Sequence, residues 1–387
     1  MPGLPPGTTQ ATLPWSWYSD PEVLRREQER IFRHAWQYAC PADLVTEPGA
    51  YCAGSVGDIP VVVVRGRDGT LRAFLNVCRH RGSVLAHGTD RRETLQCHYH
   101  AWTYDLDGTL RTAPRAQREP GFDAHGIALL PLAVETWGPL VFVNPDPDAA
   151  PLGESLEPVT ELLAREIDVE ALHFRRRSEF ELACNWKVAV ENYLECYHCP
   201  VAHPGFSEVV DVTPDAYRLE VHERSSSQFG PLRADVEMGG RFDRSSQTYA
   251  RAKPVRAEVG IASDAFGRGR DPGMLSVAEG QFHWLWPVTK LYVLPGPQNL
   301  AAGPLTPLGP ERTAGFLDHF FAGDMGPGHE DVEELLALDD QVGDEDRVLV
   351  EAVQRGVRSG LLEEGVLMPE SERLVAHFQR LVREALA

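Results

Sequence analysis

Residues 76–102, NVCRHRGSVLAHGTDRRETLQCHYHAW, decide how the N-terminal part of the chain folds. They hold two short pairs, Cys78-x-His80 and Cys97-x-x-His100, with sixteen residues between His80 and Cys97. Two such pairs at the tips of adjacent β-hairpins can converge on one metal. Thiolate and imidazole together suit zinc or an iron–sulfur cluster. The distribution of ligands bears on which. A structural zinc site usually pairs Cys with Cys and His with His, whereas each loop here gives one of each. A cluster with two thiolates on one iron and two imidazoles on the other accepts that distribution, and imidazole in place of thiolate raises its potential. A zinc knuckle is the alternative.

Outward from this segment, residues 61–64, 71–76, 94–104 and 140–143 read as short strands. Asp68-Gly69 and Asp107-Gly108 supply turns between them. Residues 40–150 are expected to form a small all-β domain, closing in the Pro/Asp-rich linker 145–151. Upstream, 21–36 reads as a helix, with Asp20 as N-cap, Pro21 at the first turn and Val23, Leu24, Ile31 and Phe32 as its apolar stripe. Residues 1–39 are expected to pack with the C-terminal domain, the Pro/Gly-rich first dozen being loose.

An electron carrier would stop after the β unit. This chain continues into 185–206, NWKVAVENYLECYHCPVAHPGF, where His198 and His203 are five apart. On one helix they would diverge by about 140°. Pro200 is expected to end the helix and let His203 swing back beside His198. Two imidazoles and a carboxylate make the facial triad of a non-haem iron oxygenase. Residues 343–357, GDEDRVLVEAVQRGV, offer that carboxylate in Asp344, Glu345 or Asp346. Helical steps from Asp346 reach Leu349, Val350, Val353 and Val357, an apolar face. The same steps from Asp344 reach Arg347, Val348, Glu351 and Arg355. A carboxylate on an apolar face needs a cation to offset its desolvation, so Asp346 is chosen and Asp344 kept in reserve. Glu195, three residues before His198, is placed to hold the free N–H of that imidazole. Asn192 and Glu191 are candidates to support the site.

The remainder of 151–387 alternates helix and strand patterns. Helices are expected at 154–170, 187–199, 331–357 (broken near Gly343) and 369–386. Strands are expected at 174–182, 217–223, 280–288 and 290–294, and loops at 225–271. The fold class is therefore α+β. The net charge of −20 over 387 residues argues against a nucleic-acid groove or an anionic membrane surface. No apolar run is long enough to span a bilayer, and the N-terminus lacks the pattern of a signal peptide. Seven cysteines, an odd number, suggest a reducing cytoplasm, with Cys40, Cys52, Cys184, Cys196 and Cys199 as packing thiols.

The two motifs, the opening TLPWSWYSDPEVLRREQERIFRHAWQYAC and the closing EDRVLVEAVQRGVRSG together resemble the alpha subunits of Rieske non-haem iron oxygenases, over nearly the whole chain. The resemblance implies a Rieske domain followed by a helix-grip catalytic domain. It implies a [2Fe-2S] cluster on Cys78, His80, Cys97 and His100, and a mononuclear iron on His198, His203 and Asp346. In a head-to-tail homotrimer, Glu195 would bridge His100 of one subunit to His198 of the next. Electrons from NAD(P)H would arrive through a flavin/iron-sulfur reductase or a ferredoxin, O2 being the oxidant. Many aromatic dioxygenases have Asp where Glu195 stands. Glu followed by CYHC is more similar to the branch acting on choline, glycine betaine, carnitine and stachydrine-type compounds. Hydroxylation or oxidative N-demethylation of a small quaternary ammonium compound is expected, with aromatic-ring hydroxylation, and a bare electron carrier, as alternatives. Tyr193, Trp284, Trp286 and Tyr292 are candidates to face a cationic substrate.

Overall fold

Val61, Val62, Val63 and Val64 are all buried, at 0–2% exposure. Successive strand residues face opposite sides, so such a run needs apolar cover on both faces of its sheet. Val61 and Val63 join Cys40, Cys52, Val141 and Val143 in one core. Val62 and Val64 join Phe74, Leu85, Tyr104 and both motif cysteines, Cys78 and Cys97, in another. The cluster loops are thus mounted on one face of a sheet whose other face carries its own core.

The chain is described by a computed structural model over residues 10–233, 276–323 and 329–387. It divides into two compact units, residues 28–154 and residues 1–27 with 155–387. The sequence placed these boundaries at 39 and 150.

The smaller unit is built on an antiparallel seven-stranded sheet. Its order is Gln37–Pro41, Leu140–Asn144, Pro131–Trp137, Leu71–Leu75, Ile59–Arg65, Ala50–Val56, Thr89–Arg91. A three-stranded sheet of Leu95–Gln96, Thr103–Tyr104 and Leu110–Thr112 carries the second ligand loop. The expected strand at 94–104 is therefore two short strands, because residues 97–101 turn to present Cys97 and His100.

The larger unit has its own antiparallel seven-stranded sheet. Its order is Leu172–Leu182, Arg312–Ala322, Asn299–Gly309, Thr289–Val293, Glu279–Leu285, Ser225–Pro231, Arg218–Val221. The helix Glu330–Val357 packs against the helix Trp186–Tyr193 and the strand Leu172–Leu182. The helix Arg373–Leu386 packs on the strand Arg218–Val221. No helix among the described residues is long and apolar enough to cross a membrane.

Several local expectations are corrected. The first helix spans Pro21–Arg30 and is followed by a 3-10 turn, Phe32–His34, since Gln37 must already lie in a strand. The stretch 154–170 is two short helices, Leu152–Leu156 and Val159–Leu163, interrupted at Pro158, which cannot donate to the preceding turn. The helix Glu330–Val357 runs unbroken through Gly343. A glycine inside a helix costs only about 1 kcal/mol, which packing of a 28-residue helix readily exceeds. Ser225–Pro231, expected as loop, is a buried strand, in which Ser227 Oγ lies 2.8 Å from His283 Nδ1 and Gln228 Nε2 donates to the Tyr193 carbonyl at 2.6 Å. Residues 234–271 of that expected loop, and the first nine residues, lie outside the described residues.

Candidate metal centres

The two cluster loops repeat one backbone design. Cys78 N–H donates to the Ser83 carbonyl at 2.8 Å, and Gly82 N–H donates back to the Cys78 carbonyl at 3.0 Å. Cys97 N–H donates to the Trp102 carbonyl at 2.8 Å, and Ala101 N–H donates back to Cys97 at 3.0 Å. The residue four after each cysteine is left-handed, Gly82 at φ +75° and Ala101 at φ +56°. A left-handed alanine carries a steric cost that a tightly closed loop can impose. Each loop buries its sulfur (Cys78 and Cys97 both 2% exposed) and exposes its imidazole. His80 and His100 lie with ring centroids 4.7 Å apart, His80 stacking on Trp102 at 4.9 Å.

This donor arrangement fits a cluster with a buried thiolate end and an outward imidazole end. Burial raises the Cys97 thiol pKa, but hydrogen bonds from the backbone N–H groups of Tyr99 and His100 bring it below its ordinary value. Such donors favour anionic sulfur. The Tyr104 hydroxyl lies 3.3 Å from Cys78 Sγ. The sequence reading missed Tyr104. Its signal was weak, an aromatic in strand alternation seven residues beyond Cys97.

The second centre forms where three elements meet. The helix Trp186–Tyr193 starts at Asn185, whose side chain accepts from Lys187 N–H at 3.0 Å, and stops at Tyr193. It does not reach residue 199, and Pro200 does not end it. Pro200 lies instead in the first turn of a new short helix, Cys199–Ala202, where a missing N–H is harmless. His198 and His203 flank that turn, which brings their Nε2 atoms to 3.1 Å. The helix Glu330–Val357 delivers Asp346, whose Oδ1 is 3.0 Å from His203 Nε2 and 3.5 Å from His198 Nε2. One donor atom from each of the three residues lies within 4.8 Å of the others. Asp344 points away, 76% exposed and 3.7 Å from Arg347. Asn192 Nδ2 donates to Asp346 Oδ1 at 3.1 Å.

Each imidazole is fixed from behind by a carboxylate. Glu195 Oε1 is 2.5 Å from His198 Nδ1, and its other oxygen accepts from the backbone of Tyr197 and His198. Glu345 Oε2 is 2.7 Å from His203 Nδ1. The sequence offered Glu345 only as a candidate ligand, and periodicity set it aside for Asp346 without seeing its place behind His203. Yet Glu345 is 6% exposed and held by Gln341 at 2.9 Å. Glu191 turns away from the centre and accepts from Tyr18 and Gln379. Cys196 and Cys199, expected as packing thiols, are joined as a disulfide.

The electrostatics fit a divalent ion. Burial opposes protonation of both imidazoles, yet Asp346 and Glu195 push His198 up to about 10, and Asp346 and Glu345 push His203 up to about 9. Burial raises the Asp346 carboxyl, but the two imidazoles hold it well below the usual carboxylate range. Three carboxylates round two imidazoles leave a centre short of positive charge, which a metal supplies as it displaces those protons. Two His and one Asp are the donor set of a facial iron site. Glu345→Gln should weaken iron binding or turnover by roughly 10–100-fold, as loss of a carboxylate behind a ligand imidazole does. Iron titration of the apoprotein checks this, and an unchanged affinity would remove Glu345 from the centre.

A cavity of about 120 Å³ opens on the centre, lined among others by Tyr193, Phe206, Tyr217, Phe282, Tyr292 and Lys290. Of the four candidate aromatics, Tyr193 and Tyr292 line it. Trp284 and Trp286 instead pack on Phe378, at 5.4 and 6.4 Å between centroids.

Known proteins share this plan. Residues 35–135 match the Rieske [2Fe-2S] domain family, and residues 169–387 match the ring hydroxylating alpha subunit catalytic domain. The chain is 32% identical to the carnitine monooxygenase oxygenase subunit of Acinetobacter pittii, over 96% of this chain and 94% of that one. It is 32% identical to the chloroplastic choline monooxygenase of Spinacia oleracea, over 100% of this chain and 80% of that one. Among solved structures, the quaternary ammonium Rieske monooxygenase CntA in complex with substrate L-carnitine superposes with a TM-score of 0.79, at 29% identity and full coverage of both chains. A naphthalene 1,2-dioxygenase from Rhodococcus shares the fold at 18% identity and a TM-score of 0.73, over 97% of this chain and 94% of that one.

Proposed function

We propose, for a chain that belongs to the ring-hydroxylating alpha-subunit family with a Rieske [2Fe-2S] domain, that its reaction is oxygenation of a methylated quaternary ammonium compound. The chain is an oxidoreductase, and its relatives include carnitine and choline monooxygenases. The observation that carries the substrate reading is the state of the cavity's tyrosines. Tyr193 OH donates to the carbonyls of His283 and Leu291 at 3.1 and 3.2 Å, and Tyr292 OH donates to Asp339. With their hydroxyls committed, they offer ring faces rather than donors. Phe206 and Phe282 add faces with no donor at all, their centroids 5.7 Å apart. Aromatic rings near the carboxylates of Asp339 and Glu195 suit a bulky, non-hydrogen-bonding cation.

When bound, the cluster supplies electrons and the mononuclear iron supplies oxygen activation. The chain's own residues do the rest. Cys78, His80, Cys97 and His100 would hold the cluster, and His198, His203 and Asp346 the iron. Asn192 holds Asp346 in place, while Glu195 and Glu345 fix the imidazole orientations. In a head-to-tail homotrimer Glu195 would also join His198 to His100 of the neighbouring subunit. One solved relative is described as revealing inter-subunit electron transfer. A cytoplasmic flavin/iron-sulfur reductase or ferredoxin would deliver electrons from NAD(P)H.

The test is substrate-dependent NADH use and O2 uptake with a matched reductase, across methylammonium compounds and small aromatic acids. Turnover of methylammonium compounds is expected, with formaldehyde released if an N-methyl carbon is attacked. Turnover of an aromatic acid alone would overturn the reading. Glu195→Ala should retain both metals and lower turnover by roughly 10–100-fold, read as slowed reoxidation of the reduced cluster. Unaltered reoxidation would remove the bridging role.

A further inference from the structure

Beside the aromatic faces, the cavity contains one feature that a purely cationic substrate does not explain. Lys290 projects from the strand Thr289–Val293 with Tyr292 two residues on, so both face the same side of the sheet. Its cross-strand neighbour on one side is Gly303, which has no side chain to cover it. The ammonium lies 5.3 Å from the Tyr193 ring centroid and 5.5 Å from that of Phe180. Among the described residues no carboxylate is paired with it. Asp339 is committed to His319 Nε2 at 2.9 Å and to Tyr292 OH, and Asp346 to the two imidazoles.

Lys290 also stands where two cavities adjoin. The inner cavity of about 120 Å³ and an outer one of about 490 Å³ share Asn192, Tyr193, Lys290, Asp339 and Asp346. The outer cavity's other cations are already neutralised: Arg176 holds Asp340 through two contacts of 2.7 Å, and Arg347 lies 3.7 Å from Asp344. Lys290 is thus the cation left without a counter-ion on this passage among the described residues. Half-buried against two aromatic rings, this ammonium gains most from an anion that arrives to pair with it. Burial lowers its pKa from the ordinary lysine value, against the pull of Asp346 and Asp339.

We propose that Lys290 is the anchor for a substrate carboxylate, so that this cavity takes a zwitterion: a quaternary ammonium group against the Phe282, Tyr292 and Tyr217 faces and a carboxylate on Lys290 Nζ. This rests on the quaternary-ammonium reading and narrows it from ammonium compounds in general to ammonium carboxylates. A simple ammonium alcohol would place its cation in the same chamber as an unpaired lysine and gain nothing from it. The anionic end fixes which carbon of the substrate faces the iron, so Lys290 is a positioning and specificity residue.

The test compares choline with glycine betaine, γ-butyrobetaine and L-carnitine on the complete, iron-loaded enzyme, by calorimetric binding and by turnover. In the wild type at least one carboxylated compound should exceed choline in kcat/KM by about tenfold or more. Lys290→Met keeps the length of the side chain and removes its charge. It should raise the KM of the preferred carboxylated compound by roughly 10–100-fold, the range for a charge-assisted contact. Choline binding should be unchanged or tighter, and the cluster spectrum unaltered. Lys290→Arg should recover part of the loss. A merely structural role would weaken both substrate types alike. Choline preferred by the wild type, or equal losses for both types in Lys290→Met, would overturn the proposal. The wild-type ranking decides even where the variant does not fold. If no methylammonium compound binds and an aromatic acid is turned over, the underlying substrate reading fails instead.

Discussion

His203→Ala should abolish turnover and leave the EPR signal of the reduced cluster as it is in the wild type. His203 sits at the hub of the mononuclear centre: its Nε2 is 3.1 Å from His198 Nε2 and 3.0 Å from Asp346, and its Nδ1 is 2.7 Å from Glu345. It is 2% exposed. Removing it leaves one imidazole and one carboxylate, too few donors to hold ferrous ion in the presence of competing ligands. The iron content should drop from about three to about two per chain, the cluster's pair remaining. Turnover should fall below roughly a thousandth of the wild-type rate, more than loss of an outer carboxylate would cause. The cluster residues belong to a different compact unit, 28–154, so its spectrum has no reason to change. The variant also strands Glu345 in a buried position, at a cost of about 1–3 kcal/mol, so a modest loss of thermal stability accompanies the loss of iron. Loss of the cluster spectrum as well would show that the two centres do not fold independently.

The His and Asp residues that the structure brings together at the second centre were legible in the sequence for a physical reason. Metal ligands must be of a few types at short spacings, and those types survive any accident of packing. Periodicity then separated Asp346 from Asp344, because a helix face is a local property. What periodicity could not show was Glu345, a charged residue buried because an imidazole in another element accepts its company. The same limit hid the strands Ser225–Pro231, Asn299–Gly309 and Arg312–Ala322. The first of these was expected as loop on its serines, and the other two were given no element; all three are strands because neighbours pair with them. Lys290, inside TKLYV, carries no local signal of a site, and it lines the cavity only because Leu338, Asp339, Val342 and Asp346 of the helix Glu330–Val357 line it too. Pro200 was read as the residue that ends the helix, but that helix stops at Tyr193 and the proline opens the next one, where its missing N–H is harmless. The disulfide between Cys196 and Cys199 had only its spacing as a signal.

Glu27→Ala should be among the most destabilising single changes in the larger unit, although Glu27 lies far in sequence from either metal motif. Glu27 and Lys187 are both fully buried and 2.6 Å apart. The other Glu27 oxygen accepts from Trp186 Nε1 at 2.7 Å, and the Lys187 ammonium lies 5.3 Å from the Tyr18 ring and 5.4 Å from the Trp186 ring. The carboxylate thus neutralises the first turn of the helix that ends at Tyr193 and carries Asn192. Taking it away removes the carboxylate that both the buried ammonium and the indole N–H bond. Breaking a buried pair from one side costs about 3–5 kcal/mol, since desolvation of the remaining charge is no longer offset. Replacing both partners with apolar side chains of similar size, Glu27→Leu with Lys187→Met, removes the unpaired charge along with the pair. That double variant should recover most of the loss and lie within about 2 kcal/mol of the wild type. Denaturant unfolding followed by far-UV circular dichroism, together with cluster absorbance, separates the outcomes. A single variant that loses less than about 1 kcal/mol would mean that water reaches Lys187, and a double variant no better than the single would mean that packing, not charge, holds this corner. Because the metal ligands are untouched, iron affinity in the folded fraction should stay near the wild-type value, which distinguishes a support of the scaffold from a support of the centre.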